Sequence, residues 1–138
     1  MPTSPIGQIR SFRDLLVWQK AMDLAVQAYR LSHQLPAEER YALANQIRRS
    51  ASSIPANIAE GAGRRNTGEY LQGLSVALGS LRELETHLTL ASRLGFTALE
   101  ASEAALATAD EVARMLHGLM RSLRAKRRAG RRTAPDAS

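Results

Sequence analysis

The chain has 138 residues, a length that favours one domain with a single hydrophobic core. Aromatic residues make up only 4% of the chain, and no segment alternates β-branched or aromatic residues with polar ones, so the composition favours an all-α fold over a β-sheet. The lack of cysteine excludes disulfides and thiolate metal sites and fits a reducing cytoplasm, and the lack of a long apolar run argues against a signal peptide or a membrane span.

The formal net charge of +6 is unevenly distributed. Residues 121–138 contain seven basic residues and one acidic residue, so this segment carries the whole excess. Residues 1–65 have nine basic and five acidic side chains, whereas residues 66–120 have three basic and seven acidic ones. The body of the chain is therefore neutral but has halves of opposite charge, and its C-terminal end is a candidate for binding polyanions.

Residues 1–13 contain two prolines and a glycine, which predicts an N-terminal arm. A first helix is predicted from Leu15, because apolar residues recur there at helical spacing in two adjacent rows. A stripe this wide indicates a helix that is covered on more than one side. Pro36 is expected to end the helix, because a proline disfavours helical geometry at the residue before it. The two rows are Leu15, Trp18, Met22, Ala25 and Tyr29, and Val17, Ala21, Leu24, Ala28 and Leu31.

The second helix is predicted to start at Pro36 or Ala37 and to stop at Gly61. Its apolar stripe keeps the same phase on both sides of Pro55. The proline therefore predicts a kink and not a helix end. The stripe consists of Tyr41, Leu43, Ile47, Ala51, Ile54 and Ile58.

Segment 52–65, with the sequence SSIPANIAEGAGRR, departs from the local rules of a helix. Pro55 lacks the N–H that the helix would use, and Asn57 and Glu60 place polar groups beside the apolar stripe. Such departures mark a specific structural or functional role. Because no catalytic partner for either polar residue is evident, we predict that both satisfy polar groups on neighbouring helices or protomers.

The segment Gly61–Gly68 predicts a loop with a glycine in the left-handed conformation. Asn66 or Thr67 is expected to cap the third helix, Gly95 to end it, and Thr97 to cap the fourth. The apolar positions of the third helix are Leu71, Leu74, Ala77, Leu78, Leu81, Leu84, Leu88 and Ala91, and those of the fourth are Leu99, Leu106, Ala109, Ala113, Leu116, Met120 and Leu123.

Four long helices with short connections predict an antiparallel up-down-up-down four-helix bundle. Residues 14–124 are assigned to this bundle, after the arm of residues 1–13. Residues 125–138 are assigned to a basic, partly disordered tail that extends the fourth helix briefly and then frays.

The residues that could carry catalysis do not have the required spacing. A di-iron bundle needs Glu-x-x-His on two of its helices, and neither Glu83 nor Glu85 lies three residues before His87. The segment GAGRRNTG lacks the preceding strand and the Lys-Ser/Thr ending of a phosphate-binding loop. We therefore expect a protein that is not an enzyme and that needs no metal, cofactor or small-molecule substrate.

Two kinds of basic cluster are candidates for nucleic-acid binding. The pairs Arg48–Arg49 and Arg64–Arg65 lie roughly 24 Å apart along a helix, so one joint patch and two separate pairs, solvated or salt-bridged, remain open alternatives. The C-terminal cluster is the stronger candidate because its charge is unopposed, although a solubilising role is the alternative. No aromatic residues are interleaved with it, so base stacking is not expected. This cluster comprises Arg124, Lys126, Arg127, Arg128, Arg131 and Arg132.

Several sequence blocks together resemble one known family. From about Phe12 to Leu123 the chain is similar to the small four helix bundle proteins, also called large-subunit (23S) ribosomal RNA intervening-sequence proteins. Ala42 stands where the family more often has glycine, and the arginine-rich tail lies outside the shared region. The blocks are Trp-Gln-Lys at 18–20, Glu-Arg-Tyr at 39–41, Gln-Ile-Arg-Arg at 46–49, Ser-Ile-Pro-Ala-Asn-Ile-Ala-Glu-Gly at 53–61 and Gly-Ser-Leu-Arg-Glu-Leu-Glu at 79–85.

The resemblance implies a protein encoded within intervening sequences of bacterial ribosomal RNA genes. A related branch resembles the accessory protein of diversity-generating retroelements, which implies a ring-like homopentamer with RNA or a reverse transcriptase as partner. No catalytic residues are implied. The matching positions imply a set of oligomer-interface or inter-helix polar residues, namely Gln46, Ser53, Pro55, Asn57, Glu60, Gly61, Ser80, Glu83 and Glu85, beside Arg48 and Arg49.

Self-association is also favoured by the residues themselves. The wide apolar stripe of the first helix and the opposite charges of the two halves indicate that the first half of one protomer meets the second half of another. Pairing of the two halves inside one bundle is the alternative. Two functions remain open: a homo-oligomeric adapter that binds RNA or a ribonucleoprotein, and a structural or protein-interaction module with no nucleic-acid role.

Overall fold

The computed structural model describes residues 11–133, with side chains up to Arg131. This part of the chain contains helices and no strands, so the predicted all-α, four-helix fold is confirmed. Each helix packs against the next in sequence, and the first also packs against the fourth, so that all four enclose one core. No described helix is both long and apolar enough to cross a bilayer. The helices are α1 (Leu16–Ser32), α2 (Leu43–Ala62), α3 (Thr67–Arg93) and α4 (Leu99–Thr133).

One face of each helix supplies the core, largely as the apolar spacing predicts. In α2, Ile47, Ile54 and Ile58 are completely buried. Only one of the two apolar rows of α1, from Val17 to Leu31, is fully covered, and the other row stays partly exposed. Two residues assigned to the apolar stripes are exposed because they stand at or beyond a helix end, namely Tyr41 before α2 and Leu99 at the start of α4.

The predicted start of the second helix was wrong by about two turns. Residues Ala37–Glu39 form a separate 3-10 turn, and α2 begins only at Leu43. The carboxylate of Glu39 accepts a hydrogen bond from the Leu43 amide at 3.2 Å, so it satisfies one of the free N–H groups at the start of α2. Glu39 therefore caps α2 from the preceding turn and is not part of the helix.

The predicted stop at Gly61 was also wrong, because α2 continues to Ala62 and Gly61 is buried within it. No glycine of the 61–68 segment is left-handed, since Gly95 is the one described residue with a positive φ, of 77°. The predicted end of α3 at Gly95 is thus confirmed. Asn66 caps α3 as expected, because its side chain accepts a hydrogen bond from the Glu69 amide at 2.8 Å.

The fourth helix begins at Leu99, which puts Thr97 one residue too early for the cap that was predicted. The Thr97 hydroxyl is instead hydrogen-bonded to the buried hydroxyl of Ser102 at 2.7 Å. At its other end α4 runs to Thr133, so helix continues well into the predicted tail, and residues 134–138 lie outside the described residues. Residues 1–10 of the predicted arm also lie outside them.

Candidate interaction surfaces

α2 and α3 approach each other closely at Gly61 and Gly73. A Cβ added to Gly73 would stand 2.8 Å from the Gly61 Cα and 2.9 Å from the Asn57 carbonyl oxygen. A Cβ on Gly61 would stand 3.1 Å from the carbonyl oxygen of Tyr70. Only hydrogen side chains fit this crossing, so the two glycines set the distance between the helices. Burial at this contact raises the pKa of Tyr70 above its usual value.

Two turns away, the same helix pair is joined by polar side chains. The hydroxyls of Ser53 and Ser80 are hydrogen-bonded at 2.8 Å. Within α2, the Asn57 amide donates to the Ser53 carbonyl oxygen at 2.8 Å and to the Ser53 hydroxyl at 3.0 Å, whereas the Asn57 carbonyl oxygen is what meets α3, at Gly73. Rising positions in α2 meet falling positions in α3, as in an antiparallel pair. Ser53, Asn57 and Gly61 are spaced four residues apart, so one face of α2 carries all three contacts with α3.

Pro55 lies inside α2 without ending it, as predicted, since the helix is continuous from Leu43 to Ala62. A proline cannot donate to the carbonyl of Ala51, so the helix lacks one bond there. The proline ring is buried, on a different face of α2 from the contacts with α3.

On that face, α1 and α2 leave an apolar groove between them that opens to solvent. Its cavity volume is about 590 Å³. Met22, Val26 and Tyr29 of α1 are 39–44% exposed along it. These residues include the row of α1 that the core leaves uncovered. The groove is lined by Trp18, Met22, Ala25, Val26, Tyr29, Arg30 and His33 from α1 and by Ser52, Pro55, Ala56 and Ala59 from α2.

The basic pair at the start of α2 is divided between a structural role and the solvent. The Arg48 guanidinium donates to the Ser32 hydroxyl at 3.3 Å and to the Arg40 carbonyl oxygen at 3.1 Å, so it ties α2 to the end of α1. Arg49 is exposed. The pair lies at the opposite end of α2 from Arg64, and the structure does not bring the two arginine pairs together.

A larger basic surface forms where α4 passes the start of α3. Arg127 follows Met120 by seven residues on the core-facing seam of α4, and its guanidinium lies 3.4 Å from the place where a Cβ on Gly68 would stand. Arg64 and Arg65 lie in the connection just before α3. The C-terminal arginines therefore continue a folded helix beside that connection. We call this surface the basic end, and define it as Arg64, Arg65, Arg124, Arg127, Arg128 and Arg131.

Helix geometry places three arginines of the basic end, together with Arg121, on one outward face of α4. At 100° per residue, the exposed side chains of Arg121, Arg124, Arg128 and Arg131 fall within roughly 80° of arc on α4. Lys126 lies on the opposite side of the helix, and the side chain of Arg132 is outside the described residues.

The remaining polar candidates contact their own helices or solvent. Glu60 is paired with Arg64 at 2.6 Å, and Glu85 with Arg82 at 2.7 Å, both across one helical turn. The side chains of Gln46 and Glu83 are exposed. Within the described residues, no three His, Cys, Asp or Glu side chains are grouped so that they could hold a metal ion.

Comparison with known proteins places this fold in a family. A family model described as 23S rRNA-intervening sequence protein matches residues 13–118. The chain belongs to the 23S rRNA-intervening sequence protein family. No curated protein matches the sequence significantly.

A solved structure also supports the fold. It is a protein of unknown function from the S23 ribosomal protein family of Bacteroides thetaiotaomicron VPI-5482, with 27% sequence identity and a TM-score of 0.71. The match covers 77% of this chain and 96% of that chain. The similarity thus spans nearly the whole length of the related structure.

The family match covers some of the surfaces described above and not others. The glycine contact, the polar contacts of α2 and α3 and the groove lie inside residues 13–118, whereas the α4 arginines of the basic end lie beyond them. Gly73 was missed by sequence reasoning. The sequence gives only a weak signal for its close contact with α2, because a glycine inside a helix and far from a turn usually indicates only low helix propensity.

Proposed function

We propose that this member of the 23S rRNA-intervening sequence protein family is a non-enzymatic, homo-oligomeric adapter that binds structured RNA or a ribonucleoprotein through its basic end. One observation carries the RNA-binding part: α4 projects its arginines on a continuous helix beside Arg64 and Arg65, with Arg127 lying over the start of α3. A folded, one-sided row of guanidinium groups suits the regularly spaced phosphates of an RNA helix. A reverse transcriptase is a further partner suggested by the family resemblance, and the cysteine-free composition fits a cytoplasmic protein.

The charge of the basic end is available for phosphates. Within the described residues, no acidic side chain forms an ion pair with Arg124, Arg127, Arg128 or Arg131. Arg64 is the exception in this surface, because it is held by Glu60 at 2.6 Å. Recognition would rest on shape and phosphate contacts, since no aromatic side chains accompany these arginines.

The experiment compares two triple variants with equal loss of charge. Arg124→Gln/Arg128→Gln/Arg131→Gln removes three guanidinium groups from the basic end, and Arg82→Gln/Arg93→Gln/Arg114→Gln removes three exposed ones from elsewhere on the bundle. Binding to a fragment of 23S rRNA is measured by fluorescence anisotropy over a series of salt concentrations. We expect the first variant to lose about tenfold or more in affinity at low salt and to have a log–log salt slope smaller by roughly 2, because each lost phosphate contact reduces that slope by about 0.7–0.9. The control should keep most of both.

Equal losses in the two triple variants would mean that only net charge matters, and would contradict a dedicated basic end. The second candidate function is a protein-interaction module with no nucleic-acid role. It is favoured by the end of the family match at residue 118, before the α4 arginines of the basic end. Wild-type protein that fails to bind the RNA fragment even at low salt would support it.

The homo-oligomeric part of the proposal is supported by the groove, where three large apolar residues remain 39–44% exposed. Exposed apolar surface of this kind often marks a protein–protein contact. A homopentamer is the assembly that the family resemblance suggests, and a ring requires two different surfaces on each protomer.

A further inference from the structure

The groove between α1 and α2 has the dimensions of a site for a helix. From Trp18 to His33 it follows α1 for fifteen residues, or roughly 22 Å at the rise of an α-helix. Its walls are two packed helices and its surface is almost wholly apolar, with Arg30 and His33 at one end. A second helix laid along it would bury Met22, Val26 and Tyr29 in one contact.

One exposed helical face of the same chain matches this groove. Val76, Gly79, Glu83 and Leu90 lie at i, i+3, i+7 and i+14 of α3 and so share one side of it. Val76 and Leu90 are 47% and 46% exposed, and nothing lies within 4 Å of the place where a Cβ on Gly79 would stand. This face, which we call the α3 ridge, runs roughly 21 Å from Val76 to Leu90. Its length therefore equals that of the groove.

The charges of the two surfaces and the packing of α3 within the protomer both indicate that the α3 ridge contacts another copy of the chain. Among the residues that line the groove, Arg30 is cationic and none is acidic, whereas the α3 ridge carries the carboxylate of Glu83. Within a protomer, α3 packs on the face of α2 that carries Ser53, Asn57 and Gly61, away from the groove. The ridge can therefore fill only the groove of a second molecule.

We propose that the α3 ridge of one protomer docks in the α1–α2 groove of the next, in a head-to-tail contact that uses two different surfaces. This inference rests on the proposed homo-oligomer and names the two surfaces that build it. Val76 and Leu90 contact the apolar walls, and Gly79 allows the backbone of α3 to approach closely. Repetition of the contact closes a ring when its rotation permits.

Cysteine cross-linking tests the docking directly, because the chain has no cysteine of its own. Val26 is at the middle of the groove and Glu83 at the middle of the ridge, so the two positions meet whichever way the docked helix runs. The double variant Val26→Cys/Glu83→Cys, treated with a short thiol-specific cross-linker at low protein concentration, should give a ladder of dimers, trimers and larger species on a denaturing gel. Each single variant should remain at 15.1 kDa.

A matched double variant controls for random collisions. Leu99 is also exposed but belongs to neither surface, so Val26→Cys/Leu99→Cys should give no ladder. Absence of the ladder from the Val26→Cys/Glu83→Cys protein would overturn the docking model. So would dimers formed by Val26→Cys alone, which indicate a two-fold contact between grooves, or a rise in native mass on deletion of residues 1–10, which indicates that the arm occupies the groove.

Native mass separates failure of this inference from failure of the proposed function. A native mass that is a higher multiple of 15.1 kDa, without the cross-linked ladder, would support the homo-oligomer. It would contradict only the docking of the α3 ridge in the groove. A native mass of 15.1 kDa contradicts both.

Discussion

Two faces of α2 behave in opposite ways, although they come from one short stretch of sequence. Ser53, Asn57 and Gly61 face α3 and make their contacts inside the protomer. Pro55 and Ala56, between them in sequence, line a groove that the protomer leaves open. The closed face excludes even a methyl group, whereas the open face leaves a volume of about 590 Å³.

The comparison separates two roles that the segment 52–65 combines. The contacts with α3 are short and specific, so they fix how the bundle packs and should determine its stability. The groove makes no such contacts in the monomer, so substitutions there should leave the fold intact and change association. Substitutions on the two faces should therefore affect different measurements.

The largest effect on stability is expected from Gly73→Ala. The new methyl group would stand 2.8 Å from the Gly61 Cα, which is backbone and cannot rotate away, so α2 and α3 must separate. Overpacking of this kind costs about 1–3 kcal/mol. Urea unfolding measures the loss. Gly118→Ala is the control, because the nearest neighbour of its methyl group would be the Arg121 guanidinium at 3.8 Å, an ordinary contact, and it should stabilise α4 by up to about 1 kcal/mol.

Equal stability changes in the two glycine variants would show that helix propensity alone acts at both positions. The close approach of α2 and α3 would then have no energetic consequence, and the contrast between the two faces of α2 would lose its basis.

A smaller effect is expected from the polar contacts. Asn57→Ala removes donors to the Ser53 carbonyl and hydroxyl oxygens, and Ser80→Ala removes the partner of the Ser53 hydroxyl at 2.8 Å. Each should cost about 1 kcal/mol, the usual net value of a buried hydrogen bond. Because both act through Ser53, the double variant should lose less than the sum of the two. Strict additivity in a double-mutant cycle would show that the three side chains do not act together.

Glu60→Gln should change binding more than stability. Glu60 forms an exposed ion pair with Arg64 one turn away, and such pairs contribute roughly 0.2–0.5 kcal/mol. Its removal frees the Arg64 guanidinium for phosphate, so we expect tighter binding to the 23S rRNA fragment with a nearly unchanged melting temperature. Weaker RNA binding by Glu60→Gln would exclude Arg64 from the proposed RNA-binding surface.

The smallest effect is expected from Lys20→Met. The hydrogen bond to Glu111 at 3.0 Å, and the charge of that carboxylate, raise the pKa of Lys20 above 10.5. The charged amine therefore stabilises the fold below pH 10.5, and the effect disappears as the pH rises through the higher pKa of the folded state. We expect a barely measurable difference in melting temperature that stays constant from neutral pH to 10.5 and vanishes above it. A difference that grows with alkaline pH would contradict the pairing.

The periodic parts of the fold could be predicted from sequence, and the contacts between helices could not. Ile47, Ile54 and Ile58 are buried as their spacing requires, and Gly95 ends α3 with a positive φ. Gly61 was predicted to end α2 because a glycine after an apolar stripe usually does so. Its contact partner in α3, Gly73, lies twelve residues away in sequence and becomes visible only when α2 and α3 are packed together.

Helix ends in polar segments account for the other differences. The Leu43 amide at the start of α2 donates a hydrogen bond to the Glu39 carboxylate, which helical spacing does not reveal. The arginines of α4 have no apolar periodicity, so the helix was expected to fray soon after residue 124, whereas it runs to Thr133. The separation of Arg48 from Arg64 follows from helix length alone and could be anticipated, but the packing of Arg127 against Gly68 could not.

The central claim is that the open face of α2, with its groove, is a protein–protein surface, and the native mass of the protein tests it most directly. Light scattering coupled to size exclusion at low salt should give the wild type a mass that is a multiple of 15.1 kDa. Val26→Asp should lower that mass to 15.1 kDa without changing the circular dichroism spectrum, because Val26 is 44% exposed in the protomer. A wild-type mass of 15.1 kDa, or an oligomer that Val26→Asp does not dissociate, would contradict the account.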